Sequence, residues 1–231
     1  MKRNARIVFI IYARYKSVRL PGKILKKIGN KPVLWYLINR VRLAKKKHDK
    51  IIIATSNTKE DKKIQQYANS LNVPTFFGNK NNLIKRTIEI NKKYNFDYFV
   101  RVCGDRPFFN YEDCKNLLIR LKKNKYSVDL ISNKSNEYTP KGMTVEIVNI
   151  NMLKNFNIKI KNKSDKEHML NYYYRNKKLK KKIIINKIFK KYVHFDFSIN
   201  KQKDLDFVNN IYSKVNFNFS VNNKKLLQII K

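Results

Sequence analysis

Ile7-Val8-Phe9-Ile10-Ile11-Tyr12-Ala13, followed by Arg14-Tyr15-Lys16-Ser17-Val18-Arg19-Leu20-Pro21-Gly22-Lys23, is the stretch that decides how the chain is read. An unbroken apolar run without polar alternation marks a strand buried on both faces of a parallel sheet. The basic stretch after it then lies just beyond the end of that strand. In open α/β sheets ligands bind there, outside the carboxyl ends of the strands.

The same pattern repeats outward from this stretch. Pro32 opens an amphipathic helix whose apolar face is Val33, Leu34, Leu37, Ile38, Val41 and Leu43. Ile51 to Ala54 reads as a second buried strand, and Thr58 to Leu71 as a helix with Ile64, Tyr67, Ala68 and Leu71 in register. Val73 to Phe77 is a short strand closed by Gly78, Asn82 to Tyr94 a helix, and Tyr98 to Val102 a strand. Strand and helix thus alternate, which means βαβ units, a parallel sheet and right-handed crossovers. Further on, the pattern predicts a helix over Tyr111 to Lys123 and strands over Val128 to Ser132 and Met143 to Val148. It then predicts a helix over Asp165 to Tyr174, a strand over Val193 to Ile199 and a helix over Lys201 to Tyr212. The tail from Val215 is Asn-rich and then apolar, a packed helix or a frayed end. No internal repeat or long linker divides the chain, so residues 1–231 are expected to form one α/β domain.

Composition narrows the function classes. The 231 residues carry 53 Lys+Arg against 16 Asp+Glu, a formal net charge of +37. With 42% hydrophobic and 13% aromatic residues, a disordered basic tail is excluded as a description of the whole. No apolar run is long enough for a membrane span. The apolar run before Arg14 lacks a small-residue cleavage site and reads as a first strand rather than a signal peptide. Cys103 and Cys114 do not make a disulfide framework, so a cytoplasmic protein is expected. Such a charge suggests nucleic-acid binding. The lysines, however, are spread along the whole chain and accompany an excess of Asn, Ile, Tyr and Phe, with few Gly and Pro. Those enriched residues share A/T-rich codons, so the excess reads as nucleotide bias on tolerant surface positions. Lys45-Lys46-Lys47 and the lysines of 177–182 remain as local anion patches.

Within the first loop, Arg14, Lys16, Arg19 and Lys23 crowd the mouth of the sheet, and Ser17 and the Gly22 backbone add hydrogen-bond donors. A triphosphate needs such a set, because charge-assisted bonds to phosphate are strong. The competing description is a solvated basic loop. The segment is not a Walker loop, since the GxxxxGK[ST] order is absent.

The order A-R-x-x-S-x-R-L-P-G-K over residues 13–23 closely resembles the signature loop of the cytidylyltransferases that activate acidic sugars. These include the synthetases of CMP-3-deoxy-manno-octulosonate and CMP-neuraminate. The likeness is greatest to the branch named after spore-coat polysaccharide biosynthesis protein F. It continues through Gly29-Asn30-Lys31-Pro32-Val33-Leu34 (G-x-K-P-L-L) and Ile52-Ile53-Ala54-Thr55-Ser56 (V-V-A-T-S). Gly78 through Leu83-Ile84 and Arg86 is similar to G-x-x-x-D-V-L-x-R, with Asn81 and Asn82 where acids are usual. Arg101-Val102-Cys103-Gly104-Asp105-Arg106-Pro107 resembles R-I-T-G-D-C-P, and Pro140-Lys141-Gly142-Met143-Thr144-Val145-Glu146 resembles P-D-G-L-D-V-E. Lys166-Glu167-His168 resembles the R-E-H before the late helix.

The resemblance implies a Rossmann-like nucleotidyltransferase fold of the nucleotide-diphospho-sugar transferase type, with a mostly parallel sheet flanked by helices. It implies transfer of CMP from CTP to a sugar hydroxyl with Mg²⁺ and release of pyrophosphate. By motif match, Arg14 and Lys23 would hold the phosphates with Arg19 helping, and Asp105 would bind Mg²⁺; these make Arg14, Lys23 and Asp105 the catalytic set. Ala13 would contact the nucleotide through its backbone, and Ser17, Ser56 and Arg101 would complete the nucleotide side. Arg106, Lys141, Glu146 and His168 match positions near the sugar, and residues 140–190 would form a sugar-site or dimerisation subregion of a homodimer.

Several positions depart from the family. Asn200 stands at the usual second carboxylate, where it would offer Mg²⁺ only a carbonyl oxygen. Thr144 replaces an Asp, Lys141 an acid and Arg106 a small or acidic residue; Asp196 is a candidate replacement carboxylate. These losses of negative charge keep two further readings open. One is a catalytically weakened family member that binds nucleotide or sugar. The other is a basic nucleic-acid-binding protein, which the ordered Ser, Pro and Gly of the first loop argue against.

Overall fold

A computed structural model describes residues 5–157, 160 and 162–230. Met1 to Asn4 and Lys231, over which the sequence expectations also extend, lie outside the described residues. The chain runs from β1 (Ile7–Tyr12) through a 3₁₀ turn (Lys23–Leu25) and a small hairpin, β2 (Lys27–Ile28) and β3 (Lys31–Pro32), into α1 (Val33–Ala44). It continues as β4 (Lys50–Ser56), α2 (Lys62–Ser70), β5 (Thr75–Gly78), α3 (Leu83–Tyr94), β6 (Tyr98–Cys103) and α4 (Tyr111–Lys123). Then follow β7 (Leu130–Ser132), β8 (Glu146–Asn149), α5 (Ile150–Asn157), α6 (Lys163–Glu167), α7 (Asn171–Arg175) and β9 (Lys181–Ile183). A 3₁₀ segment (Lys187–Tyr192), α8 (Gln202–Ser213) and α9 (Asn223–Gln228) close the fold.

The strands form one sheet in the order β5-β4-β1-β6-β8-β7-β9. β1 pairs in parallel with both β4 and β6, while β8 runs antiparallel between β6 and β7. The unbroken apolar run of β1 is explained by burial on both sides. Phe9 and Ile11 enter one core with α1, α2, α4, α8 and α9, and Val8, Ile10 and Tyr12 enter the other with α3, α5 and α7. After β1 the chain turns toward β4, whereas β6 lies on the opposite side of β1. The switch point, where such sheets open a ligand crevice, is therefore between β1 and β6.

The Asn-rich, Gly-poor composition is put to structural use. Asn82, Asn110, Asn162, Asn186 and Asn222 each accept a backbone N–H at the start of a helix or 3₁₀ segment, the role for which Asn is among the best residues. Asn72, Asn95 and Asn216 take left-handed conformations, with φ of 55°, 45° and 51°, where glycine would be the usual choice.

Two expectations are corrected. The segment Val193 to Ile199 forms no strand: it makes one isolated bridge, Lys141 to Asp196. Phe197 and Ile199 are nonetheless buried, so the alternation is real while the hydrogen-bond ladder is missing. The helix expected over Asp165 to Tyr174 is broken at His168, which turns with φ −98° and ψ 61°. The break leaves His168 exposed while Met169 and Leu170 are buried. β9, α5 and the hairpin of β2 and β3 were not anticipated.

The tail is packed, and α9 forms within it. Arg40 of α1 is fully buried and donates to the carbonyls of Phe109 (2.9 Å), Phe219 (2.7 Å) and Val221 (2.8 Å), and to the side chain of Asn223. Phe219 packs edge-on against Trp35. Arg40→Met would strand these acceptors in the core, each costing about 1–3 kcal/mol. The variant is expected to lose about 3 kcal/mol or more of unfolding free energy in urea titration; a change below about 0.5 kcal/mol would show that the tail is not held this way.

Candidate active site

The first loop leaves β1 at Ala13, whose backbone N–H is bonded to Ala54 of β4. It folds back on itself where Gly22 N–H donates to the Tyr15 carbonyl at 2.9 Å. Gly22 has φ of +67°, and a Cβ there would come within 3.1 Å of the Tyr15 ring, so glycine suits both the conformation and the space. Lys23 is thereby aimed across the crevice. Its Nζ donates to Asp105 Oδ2 at 3.0 Å and to the Ile199 carbonyl at 2.7 Å. Arg19 donates to Asn200 Oδ1 at 2.9 Å. Arg14 reaches the Lys80 carbonyl at 3.4 Å, and Ser17 is half-buried in the same loop.

Asp61 anchors this loop and was missed by sequence reasoning. It is 1% exposed. Its Oδ1 accepts from Tyr15 N–H at 2.7 Å, and its Oδ2 from both the backbone and the hydroxyl of Ser56. Ser56 thus ties the end of β4 to the first loop. Arg86, quoted above only as part of a motif, is fully buried and donates to the carbonyls of Asn79, Lys80 and Ala54. Burial pulls its pKa from the usual arginine value down to about 10, and the Arg14 charge adds to the fall.

Beyond β6 the chain passes Gly104 and Asp105 to Arg106, which borders a second region. A cavity of about 150 Å³ is lined there by Arg101, Arg106, Lys134, Glu146, His168 and Tyr174, with Thr144 beside them. At its base Arg101 Nη1 contacts Glu146 Oε2 at 2.6 Å, and the Tyr174 hydroxyl donates to Glu146 Oε1 at 2.9 Å. Burial by itself would raise the Glu146 pKa. The Arg101 and Arg106 charges and the bonds from Arg101 and Tyr174 outweigh it, so its carboxyl stays below the ordinary value. Lys141 is exposed and lies apart from this cavity, beside Asp196. Lys134 and Tyr174 carried no sequence signal, because the elements around them are short. The two cysteines are free.

The structure thus brings Lys23 to Asp105 and Arg19 to Asn200 at the crevice, turns Arg14 toward Lys80, and gathers Arg106, Glu146 and His168 at the adjoining cavity. Arg101 joins the second group. Among the described residues no three or more His, Cys, Asp or Glu side chains cluster in a way that could hold a metal, and no helix is long and apolar enough to cross a membrane.

A family model for cytidylyltransferases matches residues 8–226. The chain belongs to that family. It is similar to an uncharacterised protein of Methanocaldococcus jannaschii, 34% identical over 75% of this chain and 69% of that protein. It also resembles the spore coat polysaccharide biosynthesis protein SpsF of Bacillus subtilis, at 30% identity over 64% of this chain and 60% of the relative. A 3-deoxy-manno-octulosonate cytidylyltransferase of Colwellia psychrerythraea is 31% identical over 44% of this chain and 36% of the relative. The matches thus span less than two thirds of the Bacillus and Colwellia proteins. In fold, the chain superposes on a cytidylyltransferase from Leptospira borgpetersenii with a TM-score of 0.92 at 23% identity, over 98% of this chain and 94% of that one. A CMP:2-keto-3-deoxy-manno-octonic acid synthetase complexed with CTP gives 0.65 at 14% identity, over 91% of this chain and 100% of that one. The fold is that of the Rossmann-like nucleotidyltransferases, and a CTP-using transferase is the family's activity.

Glu146→Gln tests the charge arrangement of the cavity. The variant leaves Arg101 buried without a counter-charge, at a cost of about 3–5 kcal/mol near neutral pH. A carboxyl with a depressed pKa gives its full stabilisation above the unfolded value, near 4.5, and loses it as pH falls through the lower folded value. The gap between wild type and variant is therefore expected to be full above the unfolded carboxyl value and to shrink as pH falls below it. Urea midpoints on both sides of that value check it, and a gap independent of pH would contradict it.

Proposed function

We propose that the protein transfers CMP from CTP to a hydroxyl of an acidic sugar, a precursor of surface glycan, and releases pyrophosphate. One observation carries the reading: Lys23 of the phosphate-type loop meets Asp105 at 3.0 Å, and the next residue, Arg106, borders a cationic cavity. Donor and acceptor would thus share one crevice. The polysaccharide biosynthesis role in the Bacillus relative's name and the cytidylyltransferase activity named for the Colwellia relative support a sugar-linked role.

In this reading Arg14, Arg19 and Lys23 surround the triphosphate with cations. Lys23 exchanges its contact with Asp105 for one with phosphate. The acceptor hydroxyl oxygen bonds to the α-phosphorus and gives up its proton to water as the α–β bridging oxygen departs with pyrophosphate. Positioning and charge neutralisation supply most of the rate. Asp105, 28% exposed on its side chain, and the Asn200 amide oxygen would be the residues to hold a Mg²⁺ ion, whose oxygen preference they suit. Bound there, Mg²⁺ supplies charge neutralisation on the phosphates. One carboxylate and one amide are too few to retain such an ion alone, so these residues would hold it only together with the triphosphate. A second reading, a nucleotide-binding protein with weakened chemistry, is favoured by the engagement of Asn200 with Arg19.

A pyrophosphate-release assay with CTP, Mg²⁺ and a panel of sugar acids tests both. Asp105→Ala and Arg14→Ala are each expected to cut turnover at least about a hundredfold. Normal turnover in both variants would remove these roles, and thermal stabilisation by CTP with no turnover on any acid would favour the second reading. Mg²⁺ alone is expected to leave the melting temperature unchanged, whereas Mg²⁺ with CTP raises it beyond CTP alone, and Asp105→Ala abolishes that increment.

A further inference from the structure

We propose that Lys134, together with Arg106, is the clamp that selects the acceptor by its negative charge. The inference rests on the acidic-acceptor reading above and identifies the residues that enforce it.

A charge count along the cavity comes first. Arg101 and Glu146 answer each other across 2.6 Å, and the second Glu146 oxygen is occupied by the Tyr174 hydroxyl. Two lining cations remain, Arg106 and Lys134, and no other carboxylate lines the cavity among the described residues. A neutral acceptor would leave this positive charge to solvent alone, whereas an acid group would satisfy it.

Lys134 is also held in place. Its backbone N–H donates to Ser132 Oγ at 3.0 Å, and its Nζ sits 4.0 Å from the centroid of the Tyr174 ring. That ring is itself fixed, because its hydroxyl bonds both Glu146 and, at 3.1 Å, Ser132 Oγ. A ring face orients an ammonium without neutralising it, so the charge stays available to a ligand. Lys134 is otherwise exposed, at the mouth of the cavity.

Size agrees with this division of labour. About 150 Å³ is room for roughly five waters, less than the roughly 300 Å³ at which whole-ligand pockets begin. The cavity would admit the acid end of an acceptor. Arg106 adjoins Asp105 in sequence, so the rest of the acceptor would extend toward the triphosphate.

The test is calorimetric titration of the full chain with a panel of sugar acids, 3-deoxy-manno-octulosonate among them, and with their methyl esters, which keep the skeleton and lose the charge. Wild type is expected to prefer at least one acid over its ester. Lys134→Met should weaken that acid about tenfold or more, leave the ester as it was and leave CTP affinity unchanged. Lys134→Arg should restore most of the preference. Lys45→Met, which removes a charge from the surface, should do nothing. A Lys134→Met protein that keeps the preference overturns the clamp while the acidic-acceptor reading stands, and equal losses for acid and ester reduce Lys134 to a structural role. A wild type that prefers no acid over its ester overturns the acidic-acceptor reading and the clamp together.

Discussion

How closely β1 and β6 end against each other governs the whole site. Gly104 N–H donates to the Tyr12 carbonyl at 2.9 Å. A Cβ on Gly104 would stand 2.8 Å from that same carbonyl and 3.3 Å from the Ala13 Cα. Backbone cannot yield as a flexible side chain does, so any larger residue would push the two strand ends apart. With glycine there, the loops that follow β1 and β6 open onto one crevice. Lys23 and Asp105, separated by 82 positions, then meet. Ile199 returns to the same point, its N–H on the Asp105 carbonyl at 2.9 Å and its carbonyl on Lys23. Three distant segments are thereby fixed by few bonds, and Asn200 is delivered beside Arg19.

The excess of positive charge has several fates, and they are physically different. Part of it serves the chain's own backbone. Lys45 donates to the Lys46 carbonyl, Lys181 to the carbonyls of Tyr174 and Asn176, and Lys182 to the Asn124 side chain. Two local clusters that stand out in the sequence are thus partly engaged at home. Part of it lies over aromatic rings, as with Lys63 on Tyr15 and Lys50 on Tyr94. The cations at the crevice differ, because a buried strand and a tight Gly22 turn aim Lys23 at Asp105 and set Arg19 beside Asn200, on the neighbouring segment. Placement of this kind, rather than the bulk value of +37, separates a built site from a solvated surface.

The crevice at the first loop was legible because it is local. Strand, loop and motif follow one another within residues 7–23, and period and residue order report on contiguous geometry. The first strands were legible for the same reason, since burial on both faces leaves an apolar run. Asp61 was not, because a lone carboxylate at the start of a helix looks like any surface acid until Tyr15 and Ser56 are seen to converge on it. The stretch 193–199 was misread as a strand because alternating burial and strand pairing are separate properties, and a sequence displays only the first. The break at His168 was invisible because the apolar positions on either side remain compatible with continuous helix.

The cavity beside Arg106 was obscure for a further reason, which concerns what a buried ion pair does. Taking Arg101 and Glu146 out of water costs about as much as their attraction returns, so the pair adds little net stability. Its effect is positional. Glu146 on β8 is held by Arg101 on β6 and in turn holds Tyr174 on α7, and the ring of Tyr174 sets the place of Lys134 after β7. Lys181 of β9 grips the far end of α7 through the Tyr174 carbonyl at 2.8 Å. The chain of contacts crosses the sheet from its parallel half into its mixed half, one residue per element. No spacing rule links such residues, yet each determines where the next can stand. A substitution at Glu146 would therefore be felt twice, as the stranded charge of Arg101 and as lost orientation of Tyr174 and Lys134.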